Sequence, residues 1–313
     1  MISVIMTYYN TPLEQLRLAT QSVLSQRYKD IEFIIIDDGS TIVDNYIDSF
    51  ITQWKLQRGE TIQFIRNNVN KGHSESRNIG VNMSHGDYIY FIDSDDYILD
   101  NTLLILDQNM KGSKADISLG NFTRTVFTKD SIPEILIYNK YQAIANICAY
   151  NDNRYILSHI PQVALNATWN KLYKREVLEE IQFPTGHVRD DNATTHKIFW
   201  NCNKIIFTTL QTYYYRPNGS LSGEHLYENK DLILAHKDRL AFLQQNFDDE
   251  KIINNEKCWC LRTLLMTYLK MQDKDVLAEL KQFVEDNPEL NQLITCQQTL
   301  THAKKVIAGD SIC

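Results

Sequence analysis

The chain is predicted to be an α/β protein: a Rossmann-like nucleotide-binding half, a looser second half, and a helical C-terminal region. Three observations predict this. Apolar strand-like runs alternate with amphipathic helical runs over the first hundred residues, the pattern of a parallel sheet with right-handed crossovers. Tyr88-Ile-Tyr-Phe-Ile92 leads into Asp93-Ser-Asp-Asp96, three carboxylates in four positions, at the strand end where open α/β sheets bind ligands. From residue 228 onward the pattern is almost wholly helical. The expected division is 1–222, made of halves 1–100 and 101–222, followed by a helical region 223–313.

Each element has a local reason. Ser3 to Met6 is an apolar strand, followed by the loop Thr7-Tyr-Tyr-Asn-Thr-Pro12. Residues 13–26 place Leu13, Leu16, Ala19, Val23 and Leu24 on one helical face. Glu32 to Ile36 is a second buried strand, ended by Asp37-Asp-Gly-Ser40, a loop signal. A helix over 43–57, a strand over 62–66, a loop over 67–72 and a helix over 74–83 follow, and the strand 88–92 is the fourth. Beyond 116 the pattern loosens. Residues 116–120 suit a strand, 139–150 a helix, and 182–191 a loop entering a helix over 192–200. Residues 204–215 read as one long strand or a strand pair.

Composition narrows the function. With 313 residues, 43% hydrophobic and 23% charged, the chain is an ordinary globular sequence. Its net charge of −7 argues against a nucleic-acid partner, because phosphate binding needs a basic excess. Ile2 to Met6 is too short for a signal peptide, and no apolar run approaches the ~20 residues of a membrane span. The six cysteines are scattered with no metal spacing or disulfide framework. A cytoplasmic location is expected, including the inner face of the membrane. Leu261, Leu264, Leu265, Tyr268 and Leu269 form an apolar stripe in the tail. Core packing is its first reading, contact with another copy its second, and peripheral membrane association its third, since no basic face accompanies it.

The acidic cluster points to chemistry. Carboxylates this close repel one another unless a cation or ligand compensates them. Hard ions such as Mn²⁺ or Mg²⁺ take oxygen ligands, often carboxylates together with substrate phosphates. The alternative is that Asp93 or Asp96 caps the next helix.

Ser3-Val-Ile-Met-Thr-Tyr-Tyr-Asn10, Ile36-Asp-Asp-Gly-Ser40, Arg77-Asn78-x-Gly80 and Phe91-Ile-Asp-Ser-Asp-Asp96 together resemble the family 2 glycosyltransferases of the GT-A fold. Trp169-Asn-Lys-Leu-Tyr-Lys-Arg-Glu176 and Asp190-Asp191 resemble bacterial members in particular. The resemblance covers roughly residues 1–222. It implies a mixed, mostly parallel sheet and transfer of a sugar from a UDP-sugar, with inversion, to a glycan, lipid-linked or glycoprotein acceptor.

The resemblance also implies roles for named residues. Thr7 and Tyr9 lie where similar proteins hold uracil, although Tyr9 also suits plain loop packing. Asp38 matches the base-reading carboxylate, while Asp37 better fits a cap. Arg77 and Lys71 match the nucleotide pocket, a surface salt bridge being the alternative for Arg77. Asp93 is placed near the ribose with Ser94 beside it, Asp95 on the metal, and Asp96 in support. His225 occupies a region where some GT-A enzymes place a further metal ligand, but a surface histidine fits as well. Asp191 matches the second acidic position of a Glu-Asp pair and is the expected base. Asp190 stands where the family has Glu, which leaves its acceptor-side role open, and either residue also suits a helix cap. A nucleotidyltransferase is disfavoured because the first loop has neither glycine nor positive charge. A non-catalytic sugar-nucleotide-binding subunit is disfavoured by retention of the acidic residues.

Overall fold

The computed structural model describes residues 1–42, 45–124, 133–149, 162–187, 189–216 and 227–310. These residues fall into two compact units, one of residues 1–143 with 159–219 and one of residues 144–158 with 220–313.

The larger unit is built on one sheet. In chain order its strands are β1 (Ile2–Tyr8), β2 (Ile31–Asp37), β3 (Ile62–Arg66), β4 (Tyr88–Asp93), β5 (Tyr97–Ile98), β6 (Ile117–Thr123), β7 (Ile135–Tyr138), β8 (Lys171–Lys174) and β9 (Ile205–Tyr214). The helices that bear on the site are α1 (Leu13–Leu24), α2 (Tyr46–Arg58), α3 (His73–Met83), α4 (Thr102–Ser113), α5 (Lys140–Ile147), α6 (Gln162–Asn166) and α7 (Asp190–Trp200). The described strands run in the order β3-β2-β1-β4-β8-β6-β9-β5, with β7 also pairing β9. β3, β2, β1 and β4 are parallel, β8 is antiparallel to β4 and β6, and β9 is parallel to β6. Residues 204–215 therefore form one long strand. β5 and α4 occupy a stretch for which the sequence carried no expectation.

β1 and β2 are buried at nearly every position, which explains why they read as continuous apolar runs rather than alternating ones. Register puts Tyr8 beside Asp37 and Thr7 beside Asp93. The carboxyl ends of β1, β2 and β4 thus share one edge. The chain turns outward from β1 to β2 and β3, then returns to β4 on β1's other side, so the crevice there is a topological switch point.

The Arg77-Asn78-x-Gly80 motif is built into this packing. A Cβ on Gly80 would collide with Ile5 and lie 3.0 Å from Ile36 Cδ1, so only glycine lets α3 sit this close to the sheet. Asn78 donates to the Phe183 carbonyl and accepts from its N–H, both at 2.9 Å. Gly39, at φ +75°, has a similar constraint, because an added Cβ would meet the Val69 backbone at 2.6 Å.

The smaller unit contains α8 (Asp231–Asn246), α9 (Glu250–Met271), α10 (Lys274–Asp286) and α11 (Gln297–Ala308). Leu261, Leu264 and Leu265 of α9 pack with Val276, Leu280, Leu290, Leu300 and Val306. Three residues of the apolar stripe are thus core within the helical unit itself, with Tyr268 packed against them and Leu269 exposed. No described helix is long and apolar enough to cross a membrane.

Asn78→Ala would leave the buried N–H and C=O of Phe183 without partners, at about 1–3 kcal/mol for each group. The expected result is a clear fall in the urea midpoint of the larger unit, measured beside a change of similar size at the half-buried neighbour Ile79, which should cost less.

Candidate active site

The site is assembled at the carboxyl edge of the sheet. β4 ends at Asp93, and the turn that follows brings Asp93, Asp95 and Asp96 together, with one oxygen from each lying within 4.8 Å of the others. Asp93 and Asp95 are half-buried and Asp96 is buried. Arg216, just past β9, donates its N–H to Asp96 Oδ1 at 2.7 Å and its Nε to the Asp95 carbonyl at 2.7 Å. The Tyr213 hydroxyl accepts the Asp93 N–H at 3.2 Å. Nothing local in the sequence signals this bracing by Arg216, which depends on β9 pairing with β5.

Electrostatics in this cluster are unfavourable for bare carboxylates. Burial, against the pull of Arg77 and with the push of Asp95, raises Asp93 to about 7. Burial, then Asp93 and Asp95, raises Asp96 to about 8. Burial also raises Asp95. The donor set is entirely oxygen and its repulsion would be relieved by positive charge, so these residues fit a hard divalent cation. His225, the other expected ligand, lies outside the described residues.

Arg77 is 4% exposed. Its Nη1 donates to Asp190 Oδ2, and its Nη2 to Asp93 Oδ1 at 3.3 Å. Phe91 and Phe183 flank it, with ring centroids 5.8 and 5.7 Å from the guanidinium carbon. Arg77 thus forks onto two carboxylates, the buried Asp190 and the half-buried Asp93. Burial alone would lower the arginine; Asp190 and Asp93 outweigh it and raise it.

Asp190 and Asp191 lie inside the first turn of α7 rather than before it as caps. Burial would raise Asp190, but Arg77 and then His73 hold it below the usual carboxylate range. Asp191, raised by burial and by Asp190, is half-buried and accepts the local N–H of Asn192 at 2.8 Å. Of the pair, Asp191 is the better proton acceptor. Asp190, which the sequence left open, is an anchor for Arg77. Behind them Lys171 is fully buried and donates to the carbonyls of Ala164, at 2.6 Å, and Ala167. Burial lowers it to about 7, with Asp191 acting the other way.

The nucleotide-side expectations divide. Tyr9 is 46% exposed and offers an open ring, and the Lys71 side chain is also exposed. Thr7 is buried, its hydroxyl 3.0 Å from His73 Nδ1. His73 Nε2 in turn lies 3.8 Å from Asp93 Oδ1. Burial and then Arg77 lower His73 to about 4, so the ring is neutral. The sequence did not single out His73, since its role follows from the approach of α3 to β1 and β4.

Asp38 is buried and its oxygens serve the 67–72 loop. They accept from Asn67 Nδ2 at 2.8 Å, Lys71 N at 3.0 Å and Gly72 N at 2.8 Å. Asp37 instead accepts Ser40 N at 2.8 Å. Ser94 is buried and bonded to Thr11 Oγ1 at 2.7 Å, so it joins two loops. Asn10 accepts from Thr41 N at 2.9 Å, another loop tie the sequence did not flag.

The raised acids have a pH consequence. Asp96 titrates near 4 when unfolded and near 8 when folded, so it favours folding while protonated and that contribution is lost as pH rises between the two values. Asp96→Asn should therefore gain stability relative to the parent from about pH 4 to about pH 8, in melts without divalent ions. Excess Mn²⁺ at pH 8 should reverse the order.

Comparison with known proteins agrees with this geometry. The family model for glycosyl transferase family 2 matches residues 3–182. Glycosyltransferase GlyA of Streptococcus pneumoniae is 30% identical over 71% of this chain, and the match spans 31% of GlyA. GlyG of the same organism is 28% identical over 69% of this chain and 70% of its own length. Among solved structures, S. aureus TarS 1-349 aligns over 100% of this chain and 93% of its own, with a TM-score of 0.64 at 18% identity. TarS 1-349 in complex with UDP-GlcNAc aligns over 98% of this chain and 83% of its own, with a TM-score of 0.61 at 16% identity. The sheet order, the acidic edge and the match over 3–182 lead to one assignment: this chain belongs to glycosyl transferase family 2 and is a glycosyltransferase of the GT-A fold.

Proposed function

We propose that the chain transfers a sugar from a UDP-sugar to an acceptor hydroxyl with inversion at the anomeric carbon. The carrying observation is the joining of two acidic groups by one arginine: Asp93, Asp95 and Asp96 on the donor side, and Asp190 and Asp191 on the other. Two relatives support the donor and acceptor classes. TarS has been crystallised with UDP-GlcNAc, and S. aureus TarP is named a poly(ribitol-phosphate) β-N-acetylglucosaminyltransferase. The acceptor is accordingly read as a hydroxyl on a glycan, a lipid-linked polymer or a glycosylated protein, at the cytoplasmic face of the membrane. The C-terminal helices would contact that surface or a second copy.

In this reading Asp95, with Asp93 and Asp96, would hold Mn²⁺ or Mg²⁺, an ion that would supply positive charge against that of a departing diphosphate. A mannosyltransferase of Pyrobaculum calidifontis with the same fold, at a TM-score of 0.56, was solved with GDP-Man and Mn²⁺. The other roles belong to side chains alone. The Tyr9 ring faces the base, and the Lys71 ammonium draws in anionic donor. Asp38 shapes the loop below them. Asp191 takes the proton of the acceptor hydroxyl as that oxygen attacks from the face opposite the leaving group. Its raised affinity for protons suits it to that task.

Thermal stabilisation by UDP, GDP, CDP and TDP with and without Mn²⁺ tests the donor class. UDP with Mn²⁺ should give the largest shift, near 2.7 kcal/mol at about a hundredfold excess over Kd; no shift with any nucleotide would defeat the proposal. Asp95→Ala should lose the metal-dependent part of that shift. Asp191→Asn should keep UDP binding while transfer falls by about 10²–10⁴-fold.

A further inference from the structure

The fork made by Arg77 spans elements that are remote in sequence. Asp93 ends β4, and Asp190 opens α7. The arginine itself is fixed from three directions. Its helix is seated on the sheet through Gly80. Its neighbour Asn78 clamps the backbone of Phe183. The Phe91 and Phe183 rings that flank it pack edge to face, 5.7 Å apart. α7 is tied elsewhere through its later residues, Asn192 accepting from Asn166 Nδ2 and Thr195 donating to the Asn166 carbonyl. Its first residue is tied by Arg77.

We propose that Arg77 is a positioning residue: by holding Asp190 against Asp93 it sets the first turn of α7, and with it Asp191, relative to the donor side of the site. The chemistry requires a guanidinium. Its planar fork reaches two carboxylates at once, whereas a lysine keeps the charge as a single point on a flexible stem. The inference rests on the reading of Asp191 as proton acceptor, and it differs from the nucleotide-binding role that the resemblance implies for Arg77.

The test compares the full chain with Arg77→Lys, Asp190→Asn and the double variant, using UDP, Mn²⁺ and UDP-GlcNAc as probes. In Arg77→Lys, calorimetric UDP affinity with Mn²⁺ should stay within about threefold, while UDP release from UDP-GlcNAc falls by roughly thirtyfold or more. The double variant should fall little below the worse single one, because both changes remove the same bond. Loss of UDP affinity by the same factor as turnover would make Arg77 a nucleotide ligand and overturn the proposal. So would additive losses.

Hydrogen exchange supplies a readout independent of activity. The amides of residues 191–194 should lose protection in both single variants and no further in the double, with β1 and β2 unchanged as the control for folding. Unchanged exchange at 191–194 would also overturn the proposal. If Arg77→Lys does not fold, Asp190→Asn carries the comparison, since its amide is isosteric and leaves the arginine in place. A parent protein that ignores UDP yet shows the exchange coupling would defeat the donor assignment and uphold the bridge.

Discussion

At one edge of the sheet Asp93 lies within electrostatic reach of Asp95 and Asp96 on one side and of Asp190 and Asp191 on the other, and this repulsion must be offset before that edge can form. Arg77 is the cation placed to do so, buried between Asp93 and Asp190. Buried charge pairs recover their desolvation cost only with good geometry and further hydrogen bonds. Here the cost is divided. Asp190 takes the arginine and stays ionised, Asp93 shares it, and Asp96 is pushed toward its protonated form. The edge is left with unbalanced negative charge.

Around this edge, much of the polar sequence serves loops. Asp38, Asp37, Ser94 and Asn10 look like ligand-binding groups in a list of residues, yet each spends hydrogen bonds on neighbouring loop backbone or side chains. Buried loop N–H groups need partners as much as those in strands do. The ties hold the 7–12, 37–42 and 67–72 segments in fixed shapes, and rigid loops position the exposed Tyr9 ring and Lys71. Adjacent residues differ in their surroundings: the buried Thr7 hydroxyl is bonded to His73 while the Tyr9 ring is exposed.

The helical unit has its own organisation. Its apolar core is crossed by a buried polar group in which Glu256 sits 2.7 Å from His236 Nδ1 and 2.9 Å from Arg239 Nε. Burial would raise Glu256, but Arg239 and then His236 lower it. Such a pair adds little net stability compared with an apolar replacement, yet removing one partner strands the other charge. The unit therefore tolerates change on its outer faces far better than at these three positions.

How much was legible in advance follows from the range of the interactions involved. The alternation of strands and helices over the first hundred residues, the buried character of β1, β2 and β4, and the acidic end of β4 are local patterns, and all were readable. The motifs also identified the family, because six short segments in order are specific even when each alone is weak. β5 and α4 were not anticipated, since the short strand is defined by its pairing with β9, more than a hundred residues away. Arg77 shows the difference most sharply. Its residue type and place on a helix were evident, but whether it met phosphate or carboxylate depended on Asp190, 113 residues distant. Sequence alone determined which elements form and which chemical groups stand at their ends, because those depend on neighbours a few residues apart. Only the tertiary structure decided which of those groups face one another, because a carboxylate's charge state and role are set by what is packed against it.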